Sequence, residues 1–264
     1  MVTPPFSPLD KAARIRAMKG AGQQIAALTA YDYPTARLLE ESGVDLILVG
    51  DSLGMVVLGF PDTTSVTMEH MVHHTAAARR GARDAFLVAD LPFGACETTE
   101  LALAASHRLI EAGADAVKIE GARDAEIRGI VAAGIPLMAH LGMLPQRVRE
   151  EGGYRIKGRT DGEADALLAQ ARAVEAAGAF AVVLELVEAD TAARITRETA
   201  IPTIGIGSGT ACDGQILVTH DLIGLLPWFR PRFARPEADV AQHIRAAVAA
   251  FRDRTAREAG PAQN

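Results

Sequence analysis

Apolar and polar positions along this chain follow two alternating rhythms. Short, nearly continuous apolar runs recur as AALTA from Ala26, VDLILVG from Val44, AFLVA from Ala85, AVKIE from Ala116, IPLMAH from Ile135, FAVVLE from Phe180, IPTIGIG from Ile201 and QILVTH from Gln215. Such runs predict strands buried on both faces, as in a parallel sheet covered by helices. Between them, MEHMVHHTAAARRGA from Met68, TELALAASHRLIEAGAD from Thr99 and DALLAQARAVEAAGAF from Asp165 repeat apolar residues at three and four, the helical period. Glycine stands where helices should end, in ESGVD (41–45), EAGAD (111–115), VAAGIP (131–136) and EAAGAF (175–180). That position favours a left-handed backbone, which glycine adopts without a Cβ clash. Eight such alternations predict an α/β chain folded as a (β/α)8 TIM barrel, with a doubly wound open sheet as the alternative.

The pattern fits a single domain over 1–264, with 1–20 as an N-terminal extension and 255–264 as a fraying tail behind the helical DVAQHIRAAVAAF from Asp239. Two long connections break the rhythm, at 53–66 and 142–161. The second, GMLPQRVREEGGYRIKGRTD, is charged and Gly-rich, and reads either as a lid over a site or as a surface excursion or subunit contact.

Composition narrows the functional classes. With 49% hydrophobic and 23% charged residues in 264, the chain is ordinary for a globular protein. A net charge of -6, with no Lys/Arg run longer than two, argues against nucleic-acid or anionic-membrane partners. The two cysteines, Cys96 and Cys212, fit neither a disulfide framework nor a zinc motif, which points to a reducing compartment. The N-terminal stretch lacks a signal-peptide core and no run nears the about eighteen apolar residues of a membrane span, so a cytoplasmic location is expected.

Polar residues close the apolar runs where a barrel would gather its site: Asp51 and Ser52, Asp90, Glu120, His140 and Glu185. Asp51, Asp90 and Glu120 end consecutive strands, and three carboxylates without cysteine ligands suit a hard divalent ion, Mg²⁺ above all. Singly, each acid reads better as a strand-end or helix cap; together the three favour the metal. Lys118 and Glu120 are two apart and share a face, so an ion pair or a ligand must compensate their charges. Glu185, set among apolar residues, should have a raised pKa suited to proton transfer, unless it sits in a buried pair with Arg or Lys. His140 reads as a group in the mouth, either supporting or reacting. His70, His73 and His74 lie in a helical pattern without a metalloprotease spacing, and GIGSG at 205–209 reads as glycines making room for a tight turn or a flat ligand rather than as a phosphate site.

The segments LTAYDYP (28–34), VGDSLGM (49–55), HTAAARRGA (74–82), ADLPF (89–93), VKIEG (117–121), AHLGMLPQ (139–146), GGY (152–154), GIGSG (205–209) and DGQILV (213–218) together resemble ketopantoate hydroxymethyltransferases. The resemblance implies a Mg²⁺-dependent barrel that acts on small molecules and assembles as a homodecamer. Such an enzyme moves a one-carbon unit from 5,10-methylenetetrahydrofolate to 3-methyl-2-oxobutanoate for pantothenate synthesis. It implies Asp51 and Asp90 as metal ligands with Glu120 completing the shell, Ser52 and Lys118 on the substrate carboxylate, and Glu185 as proton acceptor. Departures are Ala139, Ser208 and Cys212, where the family more often has Gly, Ala and a β-branched or polar residue. A Mg²⁺-dependent C–C lyase or mutase of 2-oxo acids, and an inactive ring-forming scaffold, are the competing readings. The lyase would need a mid-barrel cysteine, and the scaffold predicts gaps among the acids.

Overall fold

The computed structural model describes residues 6–258, and the chain forms two compact units, Met1–Leu217 and Val218–Asn264. The first runs α1 (Pro8–Gly20), β1 (Ile25–Thr29), α2 (Tyr33–Glu41), β2 (Leu46–Val49), α3 (Leu53–Val56), a 3₁₀ turn (Thr63–Ser65), α4 (Met68–Gly81), β3 (Leu87–Asp90), α5 (Thr99–Glu111), β4 (Ala116–Glu120) and α6 (Asp124–Ala132). It continues through β5 (Leu137–Gly142), a second 3₁₀ turn (Pro145–Arg147), α7 (Asp161–Ala176), β6 (Ala181–Glu185), α8 (Ala189–Glu198), β7 (Thr203–Ile206) and β8 (Gly214–Leu217). All eight strands pair in parallel in chain order, and β8 closes onto β1. The chain is therefore a (β/α)8 barrel, not an open sheet.

Local chemistry sets the element ends. The side chains of Asp32, Thr67, Thr98 and Thr160 each accept the backbone N–H three residues on, which satisfies an otherwise orphaned donor of α2, α4, α5 and α7. At the other ends Gly43, Gly113, Gly134 and Gly178 carry φ of 76°, 110°, 80° and 105°, so the glycine punctuation read from the sequence marks real left-handed turns.

Strand alternation splits the core into two layers. Ile47, Val49, Leu87, Val117, Ile119, Leu137, Val182 and Leu184 face outward and pack under helices. Leu46, Leu48, Phe86, Val88, Ala116, Met138, Ala181 and Val183 face inward and fill the barrel. The inward parity continues upward through Asp90, Lys118, Glu120, His140 and Glu185. Parallel register sets Asp90 opposite Lys118, Glu120 opposite His140, and Gly142 opposite Glu185.

The stretch 1–20, expected as an extension, contains a helix built into the barrel. Ser7 and Asp10 form a reciprocal capping box around Pro8, and Ala12, Ile15 and Met18 join the inner layer at the strand starts. Lys11 reaches Asp115 at 3.1 Å, where Arg79 also binds, so α1 plugs the amino-terminal end. The connection 53–66 is not wholly irregular, since it holds α3 and a 3₁₀ turn. The run QILVTH is strand only to Leu217; its last two residues enter a short helix.

The second unit holds that helix, α9 (Thr219–Leu222), an irregular stretch, and α10 (Val240–Glu258). Ile244, Val248 and Phe251 of α10 are exposed. α10 continues to Glu258, into the stretch 255–264 where fraying is expected; residues 259–264 lie outside the described residues. No helix among the described residues is long and apolar enough to cross a membrane.

Candidate functional site

The strand ends bring every predicted site residue to one mouth. Gly50 lets the chain turn sharply out of β2, since a Cβ there would stand 2.8 Å from Ser52 Oγ. Asp51 follows, and its backbone N–H donates to Asp90 Oδ2 at 3.0 Å. Lys118 Nζ donates to Asp90 Oδ1 at 2.7 Å, with both side chains buried. Ser52 Oγ lies 2.8 Å from the hydroxyl of Tyr31, a buried residue just beyond β1.

Across the mouth, His140 stands between two acids. Its Nδ1 is 3.6 Å from Glu120 Oε1 and its Nε2 is 3.3 Å from Glu185 Oε2. The first contact is too long for a hydrogen bond, and Glu120 Oε1 and both ring nitrogens are buried without a hydrogen-bond partner. Glu185 was expected in an apolar setting or a Lys/Arg pair. Its carboxylate instead keeps 14% exposure and faces the imidazole, because β5 and β6 lie side by side.

Charge at this site is poorly compensated. Burial, then the neighbouring Asp90 carboxylate, pushes Asp51 up to about 7, against the lowering effects of Lys118 and the Gln146 hydrogen bond. Burial and the Asp51 charge hold Glu120 well above the usual carboxylate range. Burial alone would lower the Lys118 pKa, but the charges of Asp90, Asp51 and Glu120 raise it, so the amine stays protonated. His140 is lowered by burial and by Lys118, which keeps the ring neutral. Acids outnumber the one positive charge here, and the raised Asp51 and Glu120 let protons relieve part of the repulsion.

The connection 142–161 reaches over this mouth. Gln146 Nε2 donates to Asp51 Oδ2 at 2.8 Å and to the Leu91 carbonyl at 2.9 Å. Arg149 pairs with Asp62 at 2.7 Å and Tyr154 donates to Met55 Sδ at 3.8 Å, joining this connection to 53–66. The Tyr154 phenol is raised by burial and by the charges of Glu185, Asp51 and Glu120. Sequence reasoning did not single out Tyr31, Gln146 or Tyr154. The segments LTAYDYP, AHLGMLPQ and GGY contained them, but nothing in the linear pattern aimed them at the acids.

The remaining candidates lie elsewhere or do plain structural work. His70 Nδ1 accepts from Thr67 N–H in the α4 capping box, and His74 Nδ1 meets the Tyr31 carbonyl. In GIGSG, Gly207 and Gly209 take φ of 63° and 80°, and a Cβ on Gly205 would stand 3.0 Å from Cys212 Sγ, so the glycines serve a tight turn and close packing. Ser208 Oγ donates to the Leu184 carbonyl at 2.7 Å and accepts from Val187 N–H at 2.9 Å. These bonds bracket Leu186, which has a φ of 48°. Cys96 is buried with its thiol pushed up to about 12, unlike a lyase nucleophile.

Asp51, Asp90 and Glu120 suit a hard divalent ion by oxygen chemistry and by the unsatisfied Glu120 Oε1. They do not form a closed cage: no group of three or more His, Cys, Asp or Glu among the described residues stands ready to hold a metal. Lys118 and Gln146 hydrogen-bond Asp90 and Asp51, and Mg²⁺ takes few carboxylates and keeps waters.

Residues 10–263 match the family model for ketopantoate hydroxymethyltransferase. The chain belongs to this family. It is 52% identical over 233 residues to a 3-methyl-2-oxobutanoate hydroxymethyltransferase of Thermus thermophilus, covering 87% of this chain and 89% of the relative. Among solved structures, this member of the ketopantoate hydroxymethyltransferase family resembles 2,3-dimethylmalate lyase, a PEP mutase/isocitrate lyase superfamily member, with a TM-score of 0.59 at 16% identity over 96% of this chain and 90% of the other. It also resembles phosphonopyruvate hydrolase in complex with oxalate and Mg²⁺, with a TM-score of 0.61 at 16% identity over 94% and 86%. At those identities the two structures speak for the fold.

Proposed function

We propose that the mouth of this barrel transfers a one-carbon unit from 5,10-methylenetetrahydrofolate to 3-methyl-2-oxobutanoate, giving 2-dehydropantoate for pantothenate synthesis, with Mg²⁺ as the resident metal. The observation that carries the reading is the convergence of three buried carboxylates around Lys118, with Glu185 and His140 across from them. Asp51 and Asp90 would hold the ion, with Glu120 completing its shell. When bound, Mg²⁺ would draw electron density from the keto and carboxylate oxygens of the oxo acid and so acidify the hydrogen on C3.

The chain's own groups do the rest. Lys118, fixed by Asp90 and kept charged, neutralises the substrate carboxylate, and the Ser52 hydroxyl, set by Tyr31, binds it. Glu185 takes the C3 proton, and neutral His140 borders its carboxylate. The C3 carbanion attacks the folate methylene in its N5-iminium form. Opening of the folate ring to that iminium takes up a proton on N10. Water then displaces N5 from the methylene, its oxygen becoming the hydroxyl and one of its protons passing to N5, and Glu185 returns its proton to solvent. Tyr154 covers the site and limits water around the carbanion.

The same reading makes the protein a cytoplasmic homo-oligomer, a decamer by family resemblance. The chemistry is tested without folate, by following the C3 proton of 3-methyl-2-oxobutanoate in D₂O by NMR. Wild-type protein with Mg²⁺ should exchange it and Glu185→Gln should not. Equal exchange by the two proteins would remove Glu185 from the role of base.

A further inference from the structure

One side chain from outside the strands enters the acid cluster. Gln146 lies in the 3₁₀ turn Pro145–Arg147, and its amide nitrogen directs both hydrogens inward, to Asp51 Oδ2 at 2.8 Å and the Leu91 carbonyl at 2.9 Å. Its backbone N–H meets Glu120 Oε2 at 3.2 Å. A single residue thus bridges two carboxylates that come from different strands and repel each other.

These bonds sort the carboxylate oxygens. Glu120 Oε2 is engaged by Gln146, while Oε1 stays buried without a hydrogen bond. The Leu91 carbonyl stops the amide from turning, so the donor aimed at Asp51 is fixed by backbone rather than by a flexible neighbour. Groups that hydrogen-bond a ligating carboxylate from behind orient it and tune its affinity for the metal. The geometry points to Gln146 as a positioning residue for cation binding, which fixes the Asp51 and Glu120 carboxylates that would hold a divalent ion. This rests on the reading of Asp51, Asp90 and Glu120 as the acids that hold the ion.

The connection does not depend on the Gln146 amide to keep its course. Arg149 makes two bonds to Asp62, at 2.7 and 3.2 Å. Lys157 N–H donates to the Leu186 carbonyl at 2.8 Å, and Glu188 N–H returns to the Lys157 carbonyl at 2.8 Å. Gln146→Met keeps an unbranched side chain of similar length, removes both amide donors, and leaves the backbone bond to Glu120.

The test is titration calorimetry of Mg²⁺ into wild-type, Gln146→Met and Asp51→Asn proteins, each with 3-methyl-2-oxobutanoate present. Thermal melting in chelator accompanies it. Gln146→Met should bind Mg²⁺ about 10–100-fold more weakly and need correspondingly more Mg²⁺ for half-maximal turnover. Its kcat at saturating Mg²⁺ should fall much less, and its melting in chelator should follow wild type. An isotherm indistinguishable from wild type, with Mg²⁺ bound by wild type and lost in Asp51→Asn, overturns the positioning role and leaves the metal reading intact. Wild-type protein that binds no Mg²⁺ overturns both. A collapsed melting transition in Gln146→Met assigns the residue to the fold and overturns the inference.

Discussion

Asp51→Asn should stabilise the metal-free protein at alkaline pH while abolishing its function. Asp51 is 4% exposed, and its pKa stands at about 7 against an ordinary 3.8, raised by burial and then by Asp90. Between those two values the folded protein keeps a proton that the unfolded chain has lost. Stability therefore falls as pH rises across the window, because the unfolded state binds fewer protons. At about 1.4 kcal/mol per pH unit, the native state bears about 2 kcal/mol of this penalty at pH 5 and about 4 kcal/mol at pH 8. Asparagine removes the charge, and its carbonyl can still accept the Gln146 hydrogen bond. Urea unfolding in chelator, at fixed protomer concentration, should show the variant gaining on wild type as pH is raised from 5 to 8. Mg²⁺ should reverse the order by stabilising wild type alone. A variant no more stable than wild type at pH 8, or a gap that does not widen with pH, would refute the claim that uncompensated carboxylate charge is stored at this mouth.

Three further expectations concern separate parts of the structure. Glu185→Gln should lower kcat by about 10²–10⁴-fold while retaining Mg²⁺-dependent binding of the oxo acid, measured by steady-state kinetics and calorimetry. Ser208→Ala removes the hydroxyl that serves both Leu184 and Val187 and leaves a buried N–H unpaired, for a loss of about 1–3 kcal/mol in urea unfolding. Ile15→Ala, at 2% exposure in the plug helix, should cost about 2–5 kcal/mol, and a loss near zero would show that α1 is not part of the core.

The fold was legible because nearly continuous apolar strands and glycine-ended helices leave marks in the linear chain. The polar residues that close the apolar runs were the signal for the candidate site: Asp90, Lys118, Glu120, His140 and Glu185 occupy inward positions, and a parallel register carries them to one end. The helix at 8–20 was missed although Ser7, Pro8 and Asp10 signal its start, since its polar face outweighs the few apolar residues it buries. The environment of Glu185 was misread because its neighbour is set across strands, by His140 on β5, and not by the apolar residues beside it in sequence. Gln146 was invisible for a related reason. A loop residue acquires its role from the contacts that fold the loop, here Arg149 with Asp62 and Lys157 with Leu186, and those have no period to read.

The central claim is most directly met by proton NMR of the purified protein with 3-methyl-2-oxobutanoate and 5,10-methylenetetrahydrofolate, once with Mg²⁺ and once with chelator. The account predicts that the hydroxymethyl resonance of 2-dehydropantoate grows in with the metal and is absent with chelator. A folded, metal-loaded protein that forms no such product, or forms it equally well in chelator, would contradict it.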